Sequence, residues 1–171
     1  SWTYTNTTDS ADVLQVCWTA TQVYVRSNGM TDNMGKYLNP GTCKSQHFIH
    51  RFTRTPKEAA TKSISPKVGD IGLLVNGLSV YGLGNASSWN GSSNVPMGPG
   101  VWNVEVGKSE GFTLDTAFGA HPQQQGAYHT HLTAFRLYKN VDATKHSPII
   151  GFAFDGFPIY GPFGYTEPMN P

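Results

Sequence analysis

Two histidines are separated by a single residue in the segment Gly126-Ala127-Tyr128-His129-Thr130-His131. Alternate side chains of a β-strand point to the same face, so in an extended segment His129 and His131 stand side by side, with their Cα atoms roughly 6–7 Å apart. Two imidazoles at that spacing can bind one metal ion. On an α-helix the same residues diverge by about 200° and cannot share an ion. The motif alone leaves two interpretations open: a metal site, or one histidine hydrogen-bonded in the core and the other facing water.

The residues that follow His131 favour a strand. Residues 132–138 lack a helix-capping residue and are rich in strand-forming types. We therefore predict a strand that continues beyond the histidines with one partly apolar face. That face carries His129, His131, Thr133, Phe135 and Leu137.

A third histidine, His121, precedes Pro122 in what we predict to be a short loop. Three neutral imidazoles that converge suit zinc or copper, which both prefer nitrogen ligands. We therefore predict that His121, His129 and His131 bind one transition-metal ion, with copper and zinc as the leading candidates.

Three further residues are candidates for completing this site. Asp115, Asp155 and His146 are able to act as additional ligands or to orient a ligand histidine through its second ring nitrogen. Asp155 has an alternative role, because an aspartate before Gly-Phe-Pro can cap its own turn through backbone N–H groups.

Four short blocks occur in order along this half of the chain. They are His121-Pro122, Tyr128-His129-Thr130-His131, His146-Ser147-Pro148 and Asp155-Gly156-Phe157-Pro158-Ile159-Tyr160-Gly161-Pro162. In this order the blocks resemble the YHYH domain family, and looser matches at residues 72–77 and 23–27 extend the resemblance over most of the chain. Domains of this family are largely of unassigned function, so the resemblance does not separate a metalloprotein from a binding module.

The sequence departs from the family pattern in two places. Thr130 stands where the motif has its second tyrosine, which removes an aromatic or phenolic role between the histidines. The chain stops at Pro171, soon after the last block, where the resemblance implies that relatives continue. The sequence therefore leaves open whether residues 1–171 are truncated at the C-terminus or are a processed fragment beginning at Ser1.

The composition predicts one all-β domain over residues 1–171, a sandwich or jelly-roll-like fold with long loops. The chain has 19 glycines, 11 prolines and many short alternating segments separated by turn residues. A net charge of +1, with 13% charged residues, does not indicate nucleic-acid binding. No apolar run approaches the ~20 residues that span a bilayer.

Several segments have the pattern of strands or turns. Strands are predicted at 13–18, 21–26, 46–54 and 101–106, a hairpin at 71–81 and a long surface loop at 82–100. The hairpin turn is predicted to be type I′ because Asn76-Gly77 is the strongest signal for that turn. In the third strand, Phe48, His50 and Phe52 share a face, so we expect His50 to be a hydrogen-bonded core residue and His47 to lie on the surface.

The cysteines and sequons favour a secreted or extracellular protein. Cys17 and Cys43 are the only cysteines, and a single pair predicts one disulfide, although two separate thiols in a reducing compartment are the alternative. Asn6, Asn85 and Asn90 begin Asn-x-Ser/Thr sequons that accept glycans if the host is a eukaryote that secretes the chain.

Two classes of function remain open from the sequence. The first is an extracellular copper- or zinc-binding domain. The second is a metal-independent adhesion, carbohydrate-binding or assembly subunit of cell-surface or virion type, which would use exposed aromatics such as Trp89 and form homo-oligomers or contact glycans. No activated serine or cysteine nucleophile stands out, so whether the protein is an enzyme is left open.

Overall fold

A computed structural model of the chain describes residues 3–5, 10–39, 41–62, 69–96 and 102–166. Within these residues there are thirteen β-strands, one short α-helix and two 3-10 helices. The strands are β1 (Thr3–Thr5), β2 (Ser10–Trp18), β3 (Gln22–Ser27), β4 (Phe48–Thr53), β5 (Asp70–Leu74), β6 (Ser79–Tyr81), β7 (Gly84–Trp89), β8 (Asn94–Pro96), β9 (Trp102–Glu105), β10 (Ala120–Pro122), β11 (Tyr128–Thr130), β12 (Ile149–Ala153) and β13 (Pro158–Tyr160). The helices are α1 (Val106–Ser109) and the 3-10 helices Gly111–Thr113 and Phe135–Leu137.

The strands form three sheets over the described part of the chain. Their orders are β1-β2-β3-β4, β10-β11-β6-β5-β12-β13 and β8-β7-β9. Neighbouring strands are antiparallel except for β11 and β6, which run parallel. The predicted all-β sandwich is confirmed. No helix among the described residues is both long and apolar enough to cross a membrane.

Aromatic side chains join the four-stranded sheet to the six-stranded sheet. Along β4 the side chains of His50 and Phe52 are buried, whereas Ile49 points the other way and is 72% exposed. The ring of Phe52 packs against Phe152 and Phe154, with centroids 6.5 and 5.5 Å apart. The alternation predicted for this strand therefore places its apolar face between the two sheets.

The predicted hairpin between β5 and β6 is present, but its predicted turn type is wrong. Gly77 has φ 83°, whereas Asn76 is not in the left-handed region that a type I′ turn requires at both central positions. Gly77 N donates to Leu74 O, and Leu74 N donates to Leu78 O. This is a three-residue loop closed by a left-handed glycine, the second most common way to join two antiparallel strands.

The predicted strand beyond His131 is also wrong. β11 ends at Thr130, and residues 135–137 form a 3-10 helix. The backbone N–H groups of His131 and Leu132 both donate to Gly119 O, at 3.1 and 3.4 Å, and the Thr130 hydroxyl lies 2.9 Å from Leu132 O. These contacts turn the chain out of the sheet, so tertiary hydrogen bonding overrides the local strand propensity.

Of the predicted long loop at 82–100, residues 97–100 lie outside the described part of the chain, and residues 82–96 largely form part of a small sheet. β7 and β8 lie within it and pair antiparallel, joined by a turn in which Asn90 Oδ1 accepts hydrogen bonds from the N–H groups of Ser92 and Ser93. β9 completes this sheet on the other side of β7. The Gly-, Asn- and Ser-rich composition concealed the strands because pairing, rather than propensity, stabilises them.

The predicted disulfide between Cys17 and Cys43 is wrong. Cys17 is exposed on β2. Cys43 is half-buried, lies 3.4 Å from Met30 through their sulfur atoms and packs against the core cluster that contains Tyr128. No bond joins the two sulfur atoms.

Candidate metal centre

Three buried histidines meet at one end of the six-stranded sheet. β10 and β11 pair antiparallel with His121 directly opposite His129, and His131 follows β11 immediately. His121, His129 and His131 are 3%, 4% and 8% exposed, and one nitrogen of each lies within 4.8 Å of the others. His121 therefore lies on a strand rather than in the predicted loop. The three histidines converge as the sequence predicted, and this buried cluster could hold a metal ion.

Strand alternation separates the histidines from the other two residues of the motif. Tyr128 and Thr130 point to the opposite face, where Tyr128 is fully buried in the core cluster and its hydroxyl donates to the Asp115 carboxylate. The Thr130 hydroxyl lies 2.5 Å from Phe118 O. One face of the motif therefore anchors the core, which leaves the other face for the imidazoles.

Each imidazole is held through its Nδ1 atom by a residue outside the cluster. His129 Nδ1–H donates to Ala127 O and His131 Nδ1–H donates to Gly82 O, both at 2.9 Å. Backbone carbonyls only accept hydrogen bonds, so these two Nδ1 atoms carry the ring protons.

The hydroxyl of Thr113 fixes the third ring in the same tautomer. It donates its proton to Glu110 O at 2.7 Å and lies 2.8 Å from His121 Nδ1. The assignment that satisfies both contacts has the hydroxyl donating to Glu110 O and accepting from His121 Nδ1–H. All three Nε2 atoms are therefore unprotonated in the neutral rings, with lone pairs available.

Two of these lone pairs meet at close range. The Nε2 atoms of His129 and His131 are 2.9 Å apart, a hydrogen-bond distance, yet neither carries a proton when both Nδ1 atoms do. Two acceptors at this distance repel each other unless a cation or a proton lies beside them. This geometry favours a positive charge between or beside the two rings.

The surroundings keep the imidazoles neutral. Burial lowers the pKa of His129 to about 3 and that of His121 to about 4, and burial also lowers the pKa of His131. The Tyr81 ring stacks on His129 with centroids 3.9 Å apart and meets His131 edge-on. The three rings are therefore neutral at neutral pH, and the neutral form of histidine is the one that metal ions bind.

Glu110 lies beside the cluster and was not among the residues predicted from the sequence. Its Oε2 atom is 3.8 Å from His121 Nε2, and its side chain is 35% exposed. It sits between α1 and the following 3-10 helix, eleven residues before His121, so no local spacing pointed to it. The Thr113 hydroxyl and Gly82 O were missed for the same reason, because only the tertiary fold brings them to the histidines.

The other three predicted candidates lie outside the histidine cluster. Asp115 accepts from the backbone N–H groups of Ala117 and Phe118 and from Tyr128, so it caps a turn on the opposite face. Asp155 is exposed and accepts from Phe157 N at 3.3 Å, which is the turn-capping alternative. His146 is exposed and its ring contacts Tyr160.

The predicted glycan acceptors have different environments. Asn6 lies outside the described residues. The Asn85 amide donates to Ser109 Oγ at 2.9 Å and is half-buried, so its nitrogen is engaged in the fold. Asn90 is exposed at the β7–β8 turn.

Comparison with known proteins gives one match. The family model described as YHYH protein matches residues 49–171, a segment that contains all three histidines and Glu110. No curated protein and no solved structure matches the chain.

Proposed function

Because this chain belongs to the YHYH protein family and its motif supplies two of three converging histidines, we propose that it binds one transition-metal ion through His121, His129 and His131. The observation that carries this proposal is the 2.9 Å separation of the Nε2 atoms of His129 and His131, in rings whose Nδ1 atoms contact backbone carbonyls and so carry the ring protons. A hydrogen-bonded pair of core histidines would need one of those protons to lie between the rings.

Zinc and copper are the proposed ions. Three neutral imidazoles form a nitrogen donor set, which both metals favour, and metal-ligating histidines typically donate their second N–H to a carbonyl or another acceptor, as these three do. The only thiol close to the core cluster, that of Cys43, packs with Tyr128 on the face opposite the histidines, so it adds no sulfur ligand. Three protein ligands leave a fourth position for water, a carboxylate or a substrate.

Metal titration of untagged protein tests this function. After chelation and dialysis, calorimetric titration with Zn²⁺ or Cu²⁺ should show one ion per chain, with nitrogen ligands at about 2.0–2.1 Å by X-ray absorption. His129→Ala and His131→Ala should each abolish stoichiometric binding. His47→Ala and His146→Ala, both at exposed histidines outside the cluster, should bind as the parent does. Binding by the His129→Ala/His131→Ala double variant equal to that of the parent would overturn the proposal.

A metal-independent binding surface is the second candidate, and two tryptophans favour it. Trp89 and Trp102 are cross-strand partners in the small sheet and are 39% and 70% exposed, so their indoles share one face. Apolar ring faces flanked by neutral side chains are suited to stacking against the C–H faces of sugars. Glycan binding of this kind would persist after chelation of metal, whereas metal binding would persist after replacement of both tryptophans by alanine. Polysaccharide pull-down with and without a chelator distinguishes the two functions.

We also propose an extracellular location for the protein. The support is compositional: few charges and many Asn, Ser and Thr residues, with Asn90 exposed in a sequon at the β7–β8 turn. Fractionation of the native host, with the protein detected by antibody in the secreted or surface fraction, tests this location. Recovery in the cytosol alone would contradict it.

A further inference from the structure

A carboxylate faces the histidine cluster from its solvent side. Glu110 Oε2 lies 3.8 Å from His121 Nε2, the nitrogen that is unprotonated in the neutral ring. A carboxylate and a lone-pair nitrogen are both acceptors, so this contact is not a hydrogen bond between neutral imidazole and ionised Glu110. Two acceptors that face each other become partners when one cation binds both.

The separation fits ligands of one ion. Ligand atoms at about 2.0–2.1 Å from a tetrahedral zinc ion are roughly 3.3 Å from one another. The 3.8 Å between Glu110 Oε2 and His121 Nε2 exceeds that ligand-to-ligand distance by about half an ångström, a shift that side-chain rotation supplies. Glu110 is also close enough to His131 to influence its charge electrostatically.

The backbone of Glu110 is tied to the same histidine. The Thr113 hydroxyl donates to Glu110 O and accepts from His121 Nδ1–H, so one side chain fixes the ligand ring and the carboxylate-bearing residue together. Glu110 N also donates to Val106 O at 2.7 Å, which closes the end of α1. The carboxylate is therefore carried by an ordered segment.

The buried carboxylate of Asp115 makes its hydrogen bonds away from the histidine cluster. Asp115 is 2% exposed, but it accepts two backbone N–H bonds and the Tyr128 hydroxyl on the opposite face of the motif. The Glu110 side chain is 35% exposed, compared with 8% or less for the three histidines. It thus lies where a buried ion would meet solvent.

We propose that Glu110 is the fourth ligand of the ion and that small anions, such as carboxylates, enter the site by displacing it. This inference rests on the proposed function, because it presupposes that the three histidines bind the ion. The histidines then form the permanent part of the site, and Glu110 forms its exchangeable position.

Cobalt substitution with an azide titration tests the role of Glu110. Co²⁺ reports its ligands by visible absorption, so Glu110→Gln should change the spectrum of the bound ion and lower Co²⁺ affinity roughly tenfold or more. Azide should bind the Glu110→Gln ion at least about tenfold more tightly than the parent ion, because it no longer competes with a carboxylate. Asp155→Asn, which removes an exposed carboxylate elsewhere, should match the parent in both measurements.

The outcomes separate this inference from the proposed function. A Co²⁺ spectrum and an azide affinity unchanged in Glu110→Gln would overturn the role of Glu110, while loss of Co²⁺ in His129→Ala would still support the three-histidine site. Failure of the folded parent to bind Co²⁺, Zn²⁺ or Cu²⁺ would overturn both. A circular dichroism spectrum and melting temperature equal to those of the parent establish that Glu110→Gln is folded.

Discussion

His121 and His129 are direct cross-strand partners in β10 and β11, and their rings meet edge to face with centroids 5.0 Å apart. This relationship depends on strand register, because a shift by one residue would turn either histidine to the other face of the sheet. The register is set by the turn at residues 123–127, where Gly126 N donates to Gln123 O and Gln123 N donates to Ala127 O. The convergence of the histidines therefore depends on a tight turn outside the cluster.

Replacing Gly126 by alanine should disturb that turn. Gly126 has φ 87°, and a Cβ at this position would lie 2.7 Å from Thr42 O. We expect Gly126→Ala to lower the free energy of unfolding by about 1–3 kcal/mol, measured by urea denaturation, and to weaken metal binding. Gly164→Ala, where a Cβ meets nothing within 4 Å, is the matched control. A Gly126→Ala variant as stable and as competent in metal binding as Gly164→Ala would contradict this account of the turn.

Thr113 should affect metal affinity without touching the ion. Its hydroxyl accepts from His121 Nδ1–H and so holds the ring with Nε2 towards the cluster. Thr113→Val removes the acceptor while keeping the shape, and should lower metal affinity by about 10–100-fold in calorimetric titration. Thr113→Ser keeps the hydroxyl and should retain most of the affinity. If valine and serine behave alike, the orientation of His121 does not depend on this hydrogen bond.

Tyr128 should contribute to stability rather than to metal binding. Its buried hydroxyl donates to the buried Asp115 carboxylate. Tyr128→Phe removes a hydrogen bond to a charged group, and we expect a loss of about 1.5–3 kcal/mol in the free energy of unfolding, measured by denaturant titration of the metal-free protein. Tyr160→Phe, at a ring that is 46% exposed, should change stability little. A Tyr128→Phe variant as stable as the parent would contradict this account of the core.

His50 should make the protein less stable in acid. The residue is 6% exposed and stacks on Phe154; the predicted core position is confirmed. The predicted hydrogen bond is not found: Nε2 has no hydrogen-bond partner among the described residues, and Nδ1 is 3.7 Å from Asp70.

Burial lowers the pKa of His50 below the usual 6.5, although Asp70 opposes this shift. The unfolded chain then binds more protons than the folded one, so stability is lost as the pH falls from 6.5 towards the folded-state pKa. The buried histidines of the cluster have lowered pKa values as well, so in metal-free protein His50→Phe should reduce this loss without abolishing it, measured by urea denaturation from pH 7.5 to about 4.5. The control variant His47→Ala should have a pH profile of stability parallel to that of the parent. A parallel profile for His50→Phe would contradict the role assigned to His50.

The cysteines should behave as thiols. Because no bond joins Cys17 and Cys43 in the structure, iodoacetamide in denaturant without a reductant should modify both, as measured by intact mass. A reductant should leave the melting temperature unchanged. If the mass shows no modification until the protein is reduced, the cysteines are joined and the disulfide predicted from the sequence is correct.

Local sequence was sufficient to predict part of the fold and of the candidate site. The spacing of His129 and His131 determined that they share a face, since side-chain alternation is a property of any extended segment. The same alternation predicted the buried face of β4. The resemblance to the YHYH family, carried by short blocks in order, is confirmed by the family match over residues 49–171.

Only the tertiary structure decided what surrounds the histidines and where their strand ends. Gly82 O, the Thr113 hydroxyl and the Glu110 carboxylate come from segments distant in sequence from His131, and their approach depends on how sheets and turns pack. Gly119 O ends the strand after Thr130 by accepting from two successive N–H groups, whatever the propensity of the residues that follow. The sequence by itself determined which side chains share a face, because that is local geometry; long-range hydrogen bonds and packing decided their partners.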